Sequence, residues 1–200
     1  MSVVAASLET VLTLSVLAAI AYERMHANGL KARVLDARAM TIAVAATLAR
    51  GWLARRGVGG IETSIAFGIA AVAAITDLHC GYVFDRVLLA GSVALMAAEA
   101  AHGRLSFALE GGAVAAAALA VPWAVTRARG LGFGDVKLAG VLGCALGPYD
   151  AMRALWFAFV IGALVAVACI VTRRRSRGDA MPFAPFVALG AVMSAGSAAW

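Results

Sequence analysis

Charged residues and long polar stretches are scarce in this chain. Only 14% of its 200 residues are charged, whereas 63% are hydrophobic, and the mean hydropathy is +0.91. Soluble domains are roughly 45–50% apolar, so this composition excludes an ordinary soluble domain. Long apolar runs fill the sequence and predict an all-α, polytopic transmembrane helical bundle. A spanning β-barrel would instead show alternating segments of ~10 residues.

Cysteine is also scarce, because Cys80, Cys144 and Cys169 stand alone and form no C-x-x-C pair. The usual sequence patterns of a zinc site or a disulfide framework are therefore absent. The net charge of +6 could indicate nucleic-acid binding, but no basic patch interleaved with aromatic residues accompanies it. Basic loops at the cytoplasmic ends of membrane helices explain this charge better.

Eight apolar runs follow one another along the chain. They cover about 7–22, 39–54, 61–76, 87–101, 106–126, 136–148, 154–172 and 183–200. Several runs are shorter than the ~20 residues that cross a ~30 Å apolar core, so we predict six to eight helices. The sequence Gly147-Pro148 predicts a break between the sixth and seventh runs. Glu9 inside the first run favours a membrane span over a cleaved signal peptide.

The distribution of positive charge predicts the orientation. With the N-terminus outside, most of the 17 Lys and Arg residues fall on the opposite side, which the positive-inside rule makes cytoplasmic. Asp77, Asp85 and Asp135 then lie toward that cytoplasmic side. The other acidic residues near the runs fall toward the outer face, and we interpret them as solvated interfacial residues. They are Glu9, Glu62, Glu99, Glu110 and Asp150.

An ionisable residue in a membrane span is a candidate functional residue, because its burial is costly. Two carboxylates that share a site do not both ionise easily, and a pair that holds one proton suits acid–base work on water. We therefore expect Asp77 and Asp135 to meet. The serines lie in no G-x-S-x-G pattern, and the three histidines show no ligand spacing. We interpret His79, the only histidine near the aspartates, as a loop residue.

The glycine-rich stretch 130–134 directly precedes Asp135. Glycine lets the backbone approach a substrate closely. The stretch lacks the spacing and the preceding strand of a dinucleotide-binding loop, and no Gly-Lys-Ser/Thr follows it. Three more glycines follow at spacings of three and four and predict a close helix contact; they are Gly140, Gly143 and Gly147.

Three motifs together resemble one family. Residues 132–138, GFGDVKL, resemble the G-x-G-D-V-K-L motif of the type IV prepilin peptidases, which are GxGD intramembrane aspartyl proteases. Residues 77–85, DLHCGYVFD, resemble the family's first catalytic segment, where Asn or Asp follows the aspartate by eight positions. Residues 181–186, MPFAPF, resemble its I-P-F-G-P-F segment. The motif-bearing core covers about residues 65–195.

The resemblance implies that Asp77 and Asp135 are the catalytic pair and that hydrolysis needs no metal and no organic cofactor. It implies a pilin-like precursor as substrate, cleaved after a glycine that ends a short basic leader at the cytoplasmic membrane face. It also implies a multi-pass protein of the bacterial inner membrane. The residues expected to support the site or bind substrate are Gly132, Gly134, Asp85, Lys137 and Pro182.

Two residues depart from the family pattern, since Phe84 stands where proline is usual and Ala184 replaces a glycine. Larger, bifunctional members carry an N-terminal domain with paired C-x-x-C motifs and methylate the new N-terminus. Those pairs are missing here. Residues 1–200 are therefore expected to form one peptidase domain without a methyltransferase, as in tight-adherence (Flp-type) pilus systems. Presenilin-like proteases match less well, because Thr76 rather than tyrosine precedes Asp77.

Two alternatives stay open. An inactive relative would act as a membrane partner in pilus assembly, and a small transporter would use its carboxylates to carry protons. A transporter is expected to show internal repeats or paired broken helices, and the sequence has no convincing repeat. A metal held by three aspartates is also conceivable, although oxygen ligands alone do not specify one.

Overall fold

The computed structural model describes residues 3–27, 37–55, 60–126, 131–173 and 181–197. Within these ranges the chain forms seven α-helices and no strand, which confirms an all-α bundle of six to eight helices. The helices are α1 (Val3–Ala27), α2 (Ala37–Arg55), α3 (Ile61–Cys80), α4 (Asp85–Ala101), α5 (Leu105–Val125), α6 (Phe133–Val171) and α7 (Ala184–Ser197). By length and apolar composition, α3, α5 and α6 can each cross a membrane.

Helix α3 lies at the centre of the bundle. It packs against α1, α2, α4, α6 and α7, and it is buried without interruption from Ser64 to Ala74. The helix ends at Gly81, whose φ of 68° is left-handed and whose N–H donates to the carbonyl oxygen of Asp77 over 2.8 Å. Glycine tolerates this conformation without strain and is the usual residue after a helix. The turn that follows α3 therefore begins one helical turn beyond Asp77.

The predicted break between the sixth and seventh apolar runs is confirmed at Gly147. Helix α6 contains both runs, and only Gly147 leaves the helical conformation, with φ 76° and ψ 173°. Pro148 follows at once inside the helix, where its fixed φ suits a first helical turn. A single glycine thus produces a kink rather than a loop, because the second half starts directly after it.

Helices α5 and α6 approach each other through glycines, as the glycine spacing predicted. A Cβ atom at Gly143 would overlap the carbonyl oxygen of Gly111, and one at Gly147 would overlap the ring of Phe107. A Cβ atom at Gly140 would lie 3.3 Å from the Cβ of Ala116. The contact is therefore tightest toward the end of the first half of α6, at Gly143 and Gly147.

Gly143→Ala is expected to destabilise the protein, whereas Gly140→Ala should have a small effect. The first substitution forces the backbones of α5 and α6 apart, and overpacking of this kind costs about 1–3 kcal/mol. The second adds the same methyl group one turn away, where a shift of a few tenths of an ångström at Ala116 accommodates it. Thermal unfolding of both variants in detergent checks this, and equal melting temperatures would contradict it.

Two glutamates at the end of the bundle far from Asp77 are buried, so their interpretation as solvated residues is wrong. Glu62 is 6% exposed and Glu99 is 1% exposed. Arg104 donates to Glu62 over 2.5 Å and to Glu99 over 3.0 Å. The hydrogen bond with Glu62 raises the pKa of the Arg104 guanidinium above its ordinary value. These contacts tie the ends of α3, α4 and α5 together.

A second buried contact joins α1, α2 and α3 near the same end. Arg50 is fully buried, and its Nε donates to the hydroxyl of Ser64 over 3.0 Å. That hydroxyl donates in turn to Glu9 over 3.1 Å, and another Arg50 nitrogen donates to the carbonyl oxygen of Gly60 over 3.1 Å. Polar side chains therefore fix this end of α3 at Ser64, about 20 Å along the helix from Asp77.

Candidate active site

The structure brings Asp77 and Asp135 to the same end of the bundle. Asp77 lies in the last turn of α3 and Asp135 in the first turn of α6. The two residues are 9% and 7% exposed, and their carboxyl groups are near enough to interact electrostatically. Two nearly buried carboxyl groups therefore share one site, which is the arrangement that acid–base work on water requires.

The start of α6 holds Asp135 through its own glycine motif. Gly132 is the residue before the helix, with φ −76° and ψ 147°, and its N–H donates to Oδ2 of Asp135 over 3.2 Å. Asp135 is thus the third helical residue in a capping arrangement. A Cβ at Gly134 would lie 3.1 Å from that of Val83, so this glycine lets α6 approach the segment that follows α3. In this structure Gly132 and Gly134 shape the start of α6.

The start of α7 holds Asp77. The N–H of Ala184 donates to Oδ2 of Asp77 over 3.1 Å, and the backbone N–H of Phe183 donates to the same carboxyl group. Pro182 directly precedes these residues and is partly buried. The MPFAPF motif pointed to this segment, but sequence reasoning missed Phe183 and Ala184, because their contribution comes from the backbone.

Asp85 and Lys137 form an ion pair with each other. The Nζ of Lys137 lies 2.8 and 2.9 Å from the two carboxylate oxygens of Asp85 and 5.2 Å from the centre of the Phe133 ring. The Lys137 side chain is 39% exposed and the Asp85 side chain is 71% exposed. Lys137 follows Asp135 by two residues, which is roughly 200° around the helix. The pair therefore lies on the face of α6 opposite Asp135 and joins the starts of α4 and α6.

Two further residues singled out from the sequence, His79 and Phe84, lie near the site. His79 lies in α3, not in a loop, and its Nδ1 is 2.8 Å from the carbonyl oxygen of Ile75. Phe84 has φ −79° and ψ 122°, a conformation close to the φ that proline fixes. Phe84 therefore has an extended conformation that proline could also adopt. Among the described residues, no group of three or more His, Cys, Asp or Glu could hold a metal ion.

An apolar cavity of about 250 Å³ lies between α2, α3 and α7. Leu78 and Pro185 line it, and they directly follow Asp77 and Ala184 in the chain. Most of the remaining lining consists of alanine and larger aliphatic side chains. The cavity therefore adjoins the end of α3 and the start of α7.

Comparison with known proteins gives a family match that covers this site. The Type IV leader peptidase family matches residues 64–167, a range that contains both aspartates. A protein of Bacillus subtilis (strain 168) named prepilin leader peptidase/N-methyltransferase is 34% identical over 125 residues, which are 62% of this chain and 50% of that protein. A protein of the same name from Aeromonas hydrophila is 28% identical over 165 residues, which are 75% of this chain and 52% of that protein.

A third relative of that name, from Pseudomonas putida, is 42% identical over 65 residues, or 32% of this chain and 23% of that protein. No solved structure matches significantly. The chain spans about half the length of the relatives from Bacillus subtilis and Aeromonas hydrophila. Since the family match extends over more than half of the chain and includes Asp77 and Asp135, this protein belongs to the Type IV leader peptidase family.

Proposed function

We propose that this protein is a membrane-embedded aspartyl endopeptidase that removes the leader from pilin-like precursors. The observation that carries the proposal is the nearly buried pair of Asp77 and Asp135, held at the ends of two helices in the region that matches the family. One carboxyl group takes a proton from water, and the other, protonated, polarises the scissile carbonyl. No metal ion and no organic cofactor take part.

The proposed substrate is a Flp-type precursor with a short basic leader. Cleavage occurs after a glycine at the cytoplasmic end of the precursor's apolar helix, in the bacterial inner membrane. The loop charges support this orientation, because the cytoplasmic side carries most of the Lys and Arg residues. The apolar cavity beside Asp77 supports a substrate with apolar side chains next to the scissile bond.

Cleavage of a candidate Flp-type precursor in membranes that contain this protein tests the proposal. The expected result is a shortened product whose first residue follows the leader glycine, as determined by mass spectrometry. A precursor with a bulky residue in place of that glycine is the matched control and should remain uncut. Failure of the correctly inserted protein to cut any of several candidate precursors would instead favour an inactive partner in pilus assembly.

We expect the cleaved product to keep an unmethylated N-terminus. Residues 1–200 contain no paired C-x-x-C motifs of the kind that bifunctional family members carry, so these residues are expected to supply only the proposed peptidase activity. Mass spectrometry of the product, made with S-adenosylmethionine present, measures this directly. A methylated product from purified components would show that the chain carries the second activity after all.

A further inference from the structure

The start of α7 supplies hydrogen-bond donors that the helix itself does not use. Phe183 precedes the helix, and its carbonyl oxygen accepts from the N–H groups of Phe186 and Val187 over 3.0 and 3.2 Å. The first N–H groups of a helix have no partner within it. Those of Phe183 and Ala184 both donate to the carboxyl group of Asp77. This group thus acts as the cap of a helix that begins 107 residues later in the chain.

Two helix starts converge on the pair of aspartates. Asp135 lies in the first turn of α6 and accepts from the N–H of Gly132, and Asp77 accepts from the start of α7. Helix N-termini carry partial positive charge and stabilise anions. The negative charge that the pair shares therefore faces the positive ends of both helices.

Packing against the second half of α6 fixes the start of α7. The ring of Phe183 lies 5.3 Å from that of Phe159 and 6.3 Å from that of Phe186. Ala184 is fully buried, and a Cβ at Gly190 would overlap the carbonyl oxygen of Ala154. Since these contacts leave little room for movement, the two N–H groups have a defined position relative to Asp77.

We infer that the backbone N–H groups of Phe183 and Ala184 position Asp77 for peptide hydrolysis. The start of α7 is then a third part of the active site, beside the ends of α3 and α6. The inference rests on the proposed peptidase function. An aspartate in the last turn of a helix can rotate about its side-chain bonds, and two donors from a separate, packed helix restrict that rotation. Misplacement of a catalytic group by about 1 Å can lower a rate by about 10²-fold.

Ala184→Pro tests this by removing one donor. Proline is favoured at the first position of a helix, so the substitution deletes the N–H where a proline ring is best tolerated. We expect kcat for precursor cleavage to fall by about 10–100-fold while KM changes less than about 2-fold. Ala184→Gly is the matched control, since it keeps the N–H and introduces the residue usual in the family. It should retain nearly the wild-type kcat.

A wild-type kcat for folded Ala184→Pro, or equal losses in the proline and glycine variants, would overturn the inference. If the proline variant does not fold, Phe159→Leu takes its place, because it loosens the contact with Phe183 and leaves every N–H intact. Phe157→Leu is its control, since the Phe157 ring contacts Trp156. Equal kcat values for these two leucine variants would overturn the inference. The proposed peptidase function is tested by whether the wild-type protein cleaves the precursor. The inference about α7 is tested by how the variants compare with the wild type, so failure of one can be told from failure of the other.

Discussion

Asp135→Asn is expected to abolish precursor cleavage while the protein still inserts and folds. Asparagine has nearly the shape of aspartate, and its side-chain oxygen can still accept the hydrogen bond from Gly132. It cannot exchange a proton with water or with a leaving group at neutral pH. Loss of one general acid–base residue lowers a rate by about 10²–10⁴-fold. A time course of precursor shortening in membranes measures the loss, and wild-type protein sets the scale.

Asp77→Asn should be as inactive as Asp135→Asn, whereas Asp85→Asn should remain within a few-fold of wild type. Asp85 is the matched control, because it is a third aspartate at the same end of the bundle. Its carboxylate is 71% exposed and pairs with Lys137, and exposed ion pairs contribute only about 0–1 kcal/mol. Full cleavage by Asp77→Asn or Asp135→Asn would rule out these two aspartates as the catalytic pair. Inactivity of Asp85→Asn would show that Asp85 is also needed for cleavage.

The helices were predictable because membrane helices depend on length and apolar composition. The predicted run 106–126 corresponds to α5 at Leu105–Val125, and the run that ends at residue 76 corresponds to α3, which extends to Cys80. The break in α6 was predictable from Gly147-Pro148, but the direct start of a second helical half without a loop was not. The Phe107 ring leaves no room for a side chain at Gly147, a contact that the local sequence does not reveal.

The candidate site was partly predictable. The two aspartates follow from their motifs, and their placement at one end follows from alternation of the helices. The contact between Asp77 and α7 could not be predicted from spacing, because any residue except proline supplies a backbone N–H. The burial of Glu62 and Glu99 could not be predicted either. An acidic residue at the end of an apolar run has the same local sequence whether water or an arginine such as Arg104 satisfies it.

Arg104→Met is expected to cause the largest loss of stability among the variants considered. Its guanidinium is the common partner of Glu62 and Glu99, whose side chains are only 8% and 1% exposed. One oxygen of each glutamate is already without a hydrogen-bond partner among the described residues. Removing one partner of a buried ion pair costs about 3–5 kcal/mol. We expect the lower end of this range, because the Arg104 side chain is 47% exposed and His102 lies 4.0 Å from Glu62.

Neutralising both glutamates should restore most of this loss. The combined variant Arg104→Met with Glu62→Gln and Glu99→Gln no longer buries uncompensated negative charge, so its melting temperature in detergent should exceed that of Arg104→Met alone. Arg153→Met is the control, since the pair that Arg153 forms with Asp150 is more exposed and of the kind that contributes about 0–1 kcal/mol. If the combined variant is no more stable than Arg104→Met, the packing of the arginine stem, rather than its charge, holds this end of the bundle together.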